Sequence, residues 1–151
     1  MADLPAPDQQ LCFQLYSASR AMTAIYRPRL DELGITYPQY LVLLSLWERD
    51  GRTVRDLGEE LALDSGTLSP LLKRLEAVGL VERSRSTADE RRVQIWLTER
   101  GNALREQACE LPREILDATG LSLEEAIALR DTLARMRRAM DTRIESGRNR
   151  S

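Results

Sequence analysis

A cysteine near the start of a predicted helix is the residue best suited to chemistry in this sequence. Cys12 follows Pro5, Pro7 and Asp8, and Asp8 is a suitable cap for a helix that begins there. Cys12 would then lie in the first helical turn, where unpaired backbone N–H groups and the helix dipole favour a thiolate. A thiolate attacks the O–O bond of a peroxide, whereas a thiol hardly reacts. Cys12 is therefore a candidate redox-sensing residue.

Two tyrosines share the predicted helix with this cysteine. Tyr16 is one turn from Cys12, and Tyr26, fourteen residues on, returns to within about 40° of the same face at 100° per residue. Phenol groups that donate hydrogen bonds to a thiolate lower the pKa of the thiol. The simpler alternative is that Cys12 is a small buried hydrophobic residue, which is the commoner fate of a lone cysteine.

The absence of histidine excludes most familiar catalytic sites. Without histidine the chain has no Ser-His-Asp triad, Cys-His nucleophile or HExxH zinc site. The two cysteines, Cys12 and Cys109, are far apart and form no CxxC pair, so no metal or cofactor is expected. A thiol peroxidase is the remaining enzyme class, but no PxxxTxxC motif surrounds Cys12. We therefore do not expect an enzyme.

The chain has 151 residues and a net charge of −2, a length that suits a single domain with a substantial core. Its first residues, MADLPAPDQQ, lack the basic start and apolar run of a signal peptide. No apolar stretch approaches the length of a membrane span. We expect a cytoplasmic protein with reduced thiols and no membrane partner.

A helix-turn-helix is predicted in the middle of the chain. A short helix capped by Thr53 is followed, a few residues later, by a helix that Asp64 or Ser65 can cap and Gly79 can end. Leu68, Leu71, Leu72, Leu75 and Val78 line one face of this second helix. The short separation of the two helices is typical of a helix-turn-helix, in which the second helix is the recognition helix. Pro70 falls inside it, where a local distortion is expected.

Two short strands follow, at 80–85 and 92–97, joined by a charged turn. Val93, Ile95 and Leu97 would face the core, and Thr98 can cap the next helix. Helix, turn, helix and hairpin together predict a winged helix-turn-helix at about 37–98, and hence a double-stranded DNA partner. An ordinary helix-hairpin packing unit is the alternative. Residues 64–100 hold seven basic and six acidic residues, so a basic DNA-binding surface must come from their placement.

The flanking segments, 8–33 and 99–145, are rich in apolar residues at intervals of three or four. The apolar faces of such long amphipathic helices are larger than a small winged domain can cover, so we expect a homodimer. Its twofold axis would place two recognition helices about one DNA turn apart on a pseudo-palindromic operator. A larger monomeric helical domain is the alternative. Pro112 and 120–122 interrupt the second segment, and Ser122 and Glu125 form a capping-box pattern.

The chain resembles the MarR family of dimeric winged-helix regulators over nearly its whole length. The shared features are the order of helices and wing, the DSGTLSPLLKRLE segment and the DERR wing. Within this family, the chain resembles the organic hydroperoxide resistance regulators. The residues that carry this resemblance are LCFQLYSASR around Cys12, then Tyr26, then ITYPQYLVLLSLWE with Tyr37. The expected fold is therefore mainly α with a small β-hairpin wing, a winged helix-turn-helix dimer of the MarR type.

This resemblance implies a repressor that organic hydroperoxides release from its operator by oxidising Cys12. Tyr37 matches a tyrosine that reaches the reactive cysteine of the other subunit. Cys109 matches the region of a resolving cysteine that forms an intersubunit disulfide; relatives without one use a small cellular thiol. A MarR-type repressor released by a phenolic or lipophilic small molecule is the alternative function.

The resemblance also implies roles in DNA contact. Arg91 matches the wing arginine that enters the minor groove, and Asp89 matches the carboxylate that orients it. Physical expectation and resemblance agree on hydroxyl and basic residues of the recognition helix, which are Ser65, Thr67, Ser69, Lys73 and Arg74. Arg85 and Arg92 are further wing candidates, with a solvated surface as the alternative.

Overall fold

The computed structural model describes residues 5–85, 88 and 92–148. After a short 3₁₀ turn at Pro7–Gln9, the helices are α1 Leu11–Leu33, α2 Tyr37–Glu48, α3 Val54–Leu61, α4 Ser65–Ala77, α5 Glu99–Ala108, α6 Leu111–Thr119 and α7 Leu123–Arg148. The strands are β1 Arg52–Thr53, β2 Val81–Arg85 and β3 Val93–Leu97. The predicted fold class, mainly α with a small β wing, is confirmed. The chain divides into two compact units at Leu111 and Pro112.

The strands form one antiparallel sheet in the order β1-β3-β2. β2 and β3 pair over their full length, from Val81 opposite Leu97 to Arg85 opposite Val93. Ile95 is fully buried, as predicted, and Trp96 on the other face is partly exposed. β1 was not predicted, because two residues are too few to show an alternating pattern. It joins the start of the helix-turn-helix to the wing.

The helix ends follow the predicted capping. Thr53 accepts a hydrogen bond from the Asp56 amide (3.1 Å), and Thr98 accepts one from the Gly101 amide (3.0 Å). Gly79 adopts the left-handed conformation just beyond α4, with φ of 73°. Pro70 lies inside α4, which extends from Ser65 to Ala77, so the helix continues past the residue at which a local distortion is expected.

The core of the first unit forms where α4 packs against α2 and the sheet. Leu68, Leu72 and Leu75 are almost completely inaccessible, as are Leu43 of α2 and Ile95 of β3. Burying each of these side chains contributes about 1.5–3 kcal/mol. The predicted apolar face of the recognition helix is thus the face that holds it to the domain, which leaves its opposite face for a partner.

The second unit contains α7, a helix of 26 residues. The predicted capping box is present: the Ser122 amide donates to Glu125 (2.8 Å), and the Glu125 amide donates to Ser122 Oγ (3.2 Å). These hydrogen bonds lower the pKa of Glu125. Several large apolar side chains of α7 are exposed, among them Leu129, Met140 and Ile144. Of the described helices, none has the length and apolar character needed to cross a membrane.

Candidate DNA interface and redox site

The recognition helix presents hydroxyl and basic groups on the face away from the core. Its cap is Asp64, whose Oδ1 accepts a hydrogen bond from the Thr67 amide at 2.8 Å. Ser65, Thr67, Lys73 and Arg74 are exposed, whereas Ser69 is half-buried. Side chains of these types donate to phosphates and base edges in a major groove. This face of α4 is the part of the described chain best suited to DNA contact.

The wing places arginines beside this helix. Arg85 ends β2 and Arg92 precedes β3, and both are exposed. Arg83, which was not among the predicted site residues, is half-buried and contacts α4. Asp89 and Arg91 lie outside the described residues.

A polar cleft of about 660 Å³ opens between α3, α4 and the base of the wing. Arg55, Arg83 and Arg92 line it together with Asp56 and Glu59. Asp56 is occupied by the α3 cap, and its hydrogen bonds with Thr53 lower its pKa. Arg55 pairs with Glu59 across one turn of α3 at 2.8 Å. The cleft is therefore of mixed charge rather than strongly basic.

Cys12 is the second residue of α1 and is exposed. Its predicted place in the first turn is confirmed, but the predicted cap is wrong. Asp8 belongs to the preceding 3₁₀ turn, and Gln10 occupies the cap position without a side-chain hydrogen bond to the helix. Cys12 nevertheless lies in the first turn of α1, where backbone N–H groups have no partner within the helix. The alternative that Cys12 is buried is wrong for the single chain.

Three tyrosines form a cluster near the other end of α1. The ring centroids of Tyr26 and Tyr37 are 4.9 Å apart, and Tyr40 lies 6.0 Å from Tyr26 and 6.4 Å from Tyr37. Burial, and then the neighbouring phenols Tyr37 and Tyr40, raise the pKa of Tyr26 to about 12. Burial also raises the pKa of Tyr37 and Tyr40. All three phenols therefore stay protonated near neutral pH and can donate hydrogen bonds.

The tyrosine cluster is distant from Cys12 of the same chain. Cys12 and Tyr26 belong to one continuous helix, so fourteen residues at 1.5 Å per residue separate them by about 21 Å along its axis. Because Tyr37 contacts Tyr26, it is also far from its own cysteine. The expectation that Tyr26 donates to Cys12 within a chain is thus wrong, since the spacing argument considered the helix face and not the axial distance.

Tyr16 and Cys109 occupy exposed positions. Tyr16, one turn from Cys12, is 61% exposed, and the guanidinium of Arg20 lies 5.6 Å from its ring centroid. Cys109 follows α5 and is a free thiol whose Sγ donates to the Glu106 carbonyl oxygen at 3.0 Å. Leu104 and Ala108 of α5 are buried, whereas Cys109 is exposed.

Comparison with known proteins identifies the family. The model of the family described as transcriptional regulator SarA/Rot matches residues 24–107. The chain belongs to this family of MarR-like winged-helix regulators. It is 53% identical over 126 residues to the organic hydroperoxide resistance transcriptional regulator of Bacillus subtilis (strain 168), covering 83% of this chain and 86% of that protein. The family consists of transcriptional regulators rather than enzymes.

Solved structures of other regulators share the fold. Reduced AbfR bound to DNA, a protein of Staphylococcus epidermidis, is 38% identical with a TM-score of 0.74, covering 88% of this chain and 93% of the other. PcaV of Streptomyces coelicolor, solved with its natural ligand, is 25% identical with a TM-score of 0.81, covering 93% and 99%. The protein is a DNA-binding transcriptional regulator, which confirms the class predicted from the sequence.

Two residues of this regulator's site were missed by sequence reasoning. Tyr40 completes the tyrosine cluster and also contacts Trp47, with ring centroids 6.3 Å apart. Its position three residues after Tyr37, on the same face of α2, was a usable signal. Arg83 offered no such signal, since its contacts are with a helix that precedes it in sequence.

Proposed function

We propose that this regulator is a repressor that leaves its operator when an organic hydroperoxide oxidises Cys12. The observation that carries the proposal is the exposed Cys12 thiol in the first turn of α1. The similarity to the Bacillus subtilis organic hydroperoxide resistance regulator supports the choice of oxidant. The half-buried, protonated tyrosines supply donors that would stabilise a thiolate.

The proposed chemistry takes place in two steps. The Cys12 thiolate attacks the terminal oxygen of the hydroperoxide, the O–O bond breaks, and the alkoxide leaves as an alcohol after taking a proton. Sulfur is oxidised to a sulfenic acid and the peroxide is reduced. A second thiol then attacks the sulfenic sulfur, forming a disulfide and releasing water. Cys109 of another subunit, or a small cellular thiol, supplies that second sulfur.

A homodimer brings the tyrosines to the cysteine in this proposal. Apolar side chains on α1 support it, because Leu11, Phe13, Met22 and Ile25 are between 40% and 63% exposed in the single chain. Pairing two chains through such faces buries apolar area. It also permits Tyr26 and Tyr37 of one subunit to approach Cys12 of the other, which the axial distance forbids within a chain.

Residues on two elements make the proposed contacts with a pseudo-palindromic operator. In the major groove these are the hydroxyl and basic residues of α4, namely Ser65, Thr67, Ser69, Lys73 and Arg74. In the wing they are Arg85, Arg92 and Arg91, with Asp89 orienting the last. Oxidation abolishes the hydrogen bonds to the Cys12 thiolate, and the two DNA-binding units lose the spacing that the operator requires.

The test compares wild type, Cys12→Ser and Cys109→Ser. Operator fragments are first selected from a random DNA library with reduced wild type. Affinity is then measured before and after one equivalent of cumene hydroperoxide. Wild type should lose the DNA and regain it with dithiothreitol, whereas Cys12→Ser should stay bound. If Cys12→Ser also leaves the operator after peroxide treatment, the sensor role of Cys12 is refuted. If Cys109→Ser still gives the same disulfide-linked dimer band as wild type in electrophoresis without reductant, the resolving role of Cys109 is refuted.

A second candidate function is release by an aromatic acid, with Cys12 incidental. A cleft of about 220 Å³ between α1 and α2 favours it, because Arg27 and Tyr37 line it beside apolar residues, although the carboxylate of Asp31 lines it too. PcaV, which has a similar fold, was solved with a natural ligand. Saturating salicylate without peroxide should release the operator from wild type and Cys12→Ser alike under this hypothesis, and Arg27→Ala should abolish the response.

A further inference from the structure

Arg83 links the wing to the recognition helix. It is the middle residue of β2, opposite Ile95 of β3. Side chains alternate along a strand, so Arg83 projects to the same face as Val81, which is buried where β2 packs against α4. Only 29% of the Arg83 side chain is exposed. This is an unusual position for a wing arginine, because its charge is directed toward the protein rather than toward solvent.

The guanidinium contacts α4 at two points. Arg83 Nη2 donates to the Ser69 carbonyl oxygen at 3.5 Å, and Arg83 Nε lies 3.3 Å from Glu76 Oε2. Ser69 and Glu76 are seven residues apart, or about 10 Å along the helix at 1.5 Å per residue. One guanidinium therefore contacts residues that are about two turns apart in the recognition helix. Nε is buried and makes no hydrogen bond with the described residues, so the ion pair is what compensates its burial.

We propose that Arg83 is a positioning residue that fixes the angle between the wing and the recognition helix. These two elements must enter different grooves of the same DNA, so any freedom between them has to be lost on binding, at a cost in affinity. The contact to Ser69 uses its backbone oxygen, which leaves the hydroxyl available to DNA. Because Glu76 neutralises the guanidinium, Arg83 acts through α4 and not as a phosphate contact.

Arg83→Gln tests the proposal directly. We expect operator affinity to fall about tenfold, within the range of coupling energies between neighbouring residues, while the melting temperature changes little. In a hydroxyl-radical footprint, protection by the wing should be lost while methylation protection in the major groove remains. Arg100→Gln is the matched control, because Arg100 is also an arginine bound to a backbone carbonyl, that of Val78 at 2.9 Å, but it is not part of the wing. It should leave the footprint unchanged.

Glu76→Ala separates positioning from simple electrostatics. It removes a negative charge from the DNA-binding unit, so electrostatics alone predicts tighter binding. Loss of the link to Arg83 predicts the opposite, weaker binding with the same loss of wing protection. This variant also keeps the test decisive if Arg83→Gln does not fold. Tighter binding by Glu76→Ala with an intact footprint would overturn the proposal, as would an Arg83→Gln defect that merely follows its loss of stability.

Discussion

The tyrosine cluster consists of phenols that can give hydrogen bonds but cannot act as bases near neutral pH. Burial, together with the neighbouring Tyr37 and Tyr40, raises the pKa of Tyr26 to about 12. Such groups would stabilise a neighbouring thiolate by donating hydrogen bonds to it, but they would not act as the base that deprotonates the thiol. The phenols thus suit the proposed sensor, in which Tyr26 and Tyr37 of one subunit donate hydrogen bonds to Cys12 of the other.

Burial of Tyr26 also makes stability depend on pH in the alkaline range. Its pKa in the folded chain lies above the value of about 10 for an unfolded tyrosine, so the folded state holds the proton more tightly. The contribution of Tyr26 to the free energy of unfolding should not vary with pH below about pH 10. It should then decrease as the pH rises toward 12. Urea denaturation across this range measures the slope. Tyr26→Phe should flatten it, whereas the exposed Tyr16→Phe should not; equal slopes in all three proteins would contradict the explanation.

At the scale of elements, the recognition helix begins with an acid that has two opposing effects. Asp64 caps α4 through the Thr67 amide, and it places a negative charge at the end of a helix proposed to meet DNA. Asp64→Asn keeps a good cap and removes the charge, so we expect tighter operator binding with little change in stability. Asp64→Ala removes both, at a cost of about 1 kcal/mol in stability. Operator titrations at several salt concentrations, with urea denaturation, measure the two effects. Equal stability of the two variants would argue against the cap.

The approach of α5 to Leu80, in the turn between α4 and β2, depends on a glycine. A Cβ atom at Gly101 would overlap the carbonyl oxygen of Leu80, and the Gly101 carbonyl accepts a hydrogen bond from Trp47 Nε1 at 3.0 Å. Because backbone must move to relieve the overlap, Gly101→Ala should destabilise the protein by about 3 kcal/mol or more. Asn102→Ala, at the exposed neighbouring position, is the control and should be neutral or slightly stabilising. If Gly101→Ala leaves the free energy of unfolding in urea unchanged, α5 can move away from Leu80 without cost.

Local signals predicted the elements better than the contacts between them. The caps Thr53 and Thr98 and the buried leucines of α4 follow from short patterns that require no knowledge of distant residues. The two-residue strand β1 exists only because β3 pairs with it, and the role of Arg83 depends on a helix folded back beside it. The tyrosine prediction failed within one chain for a related reason, since periodicity gives direction around an axis but not distance along it.

At the scale of the whole molecule, the net charge of −2 is compatible with DNA binding because charges are segregated. Lys73, Arg74 and Arg85 are exposed on the elements proposed to face DNA, while Glu76 is paired with Arg83. Asp64 at the start of α4 and Glu82 on β2 are exposed acids on these same elements, so the segregation is partial. The exposed apolar residues of α1 and α7 are the surfaces that the proposed homodimer would cover.

Mixed dimers test whether the tyrosines act across that proposed interface. In the first dimer, one chain carries Cys12→Ser and the other carries Tyr26→Phe, so the single Cys12 faces an intact Tyr26 of its partner. In the second, a wild-type chain pairs with a Cys12→Ser/Tyr26→Phe chain, so the single Cys12 retains only its own Tyr26. The separation of about 21 Å along α1 predicts that the first dimer reacts with cumene hydroperoxide at the wild-type rate per cysteine and the second more slowly. Differently tagged chains allow each dimer to be purified, and trapping of the sulfenic acid with dimedone gives the rate. Equal rates in the two dimers would exclude Tyr26 from the chemistry, and a slower first dimer would mean that the tyrosine acts within its own chain.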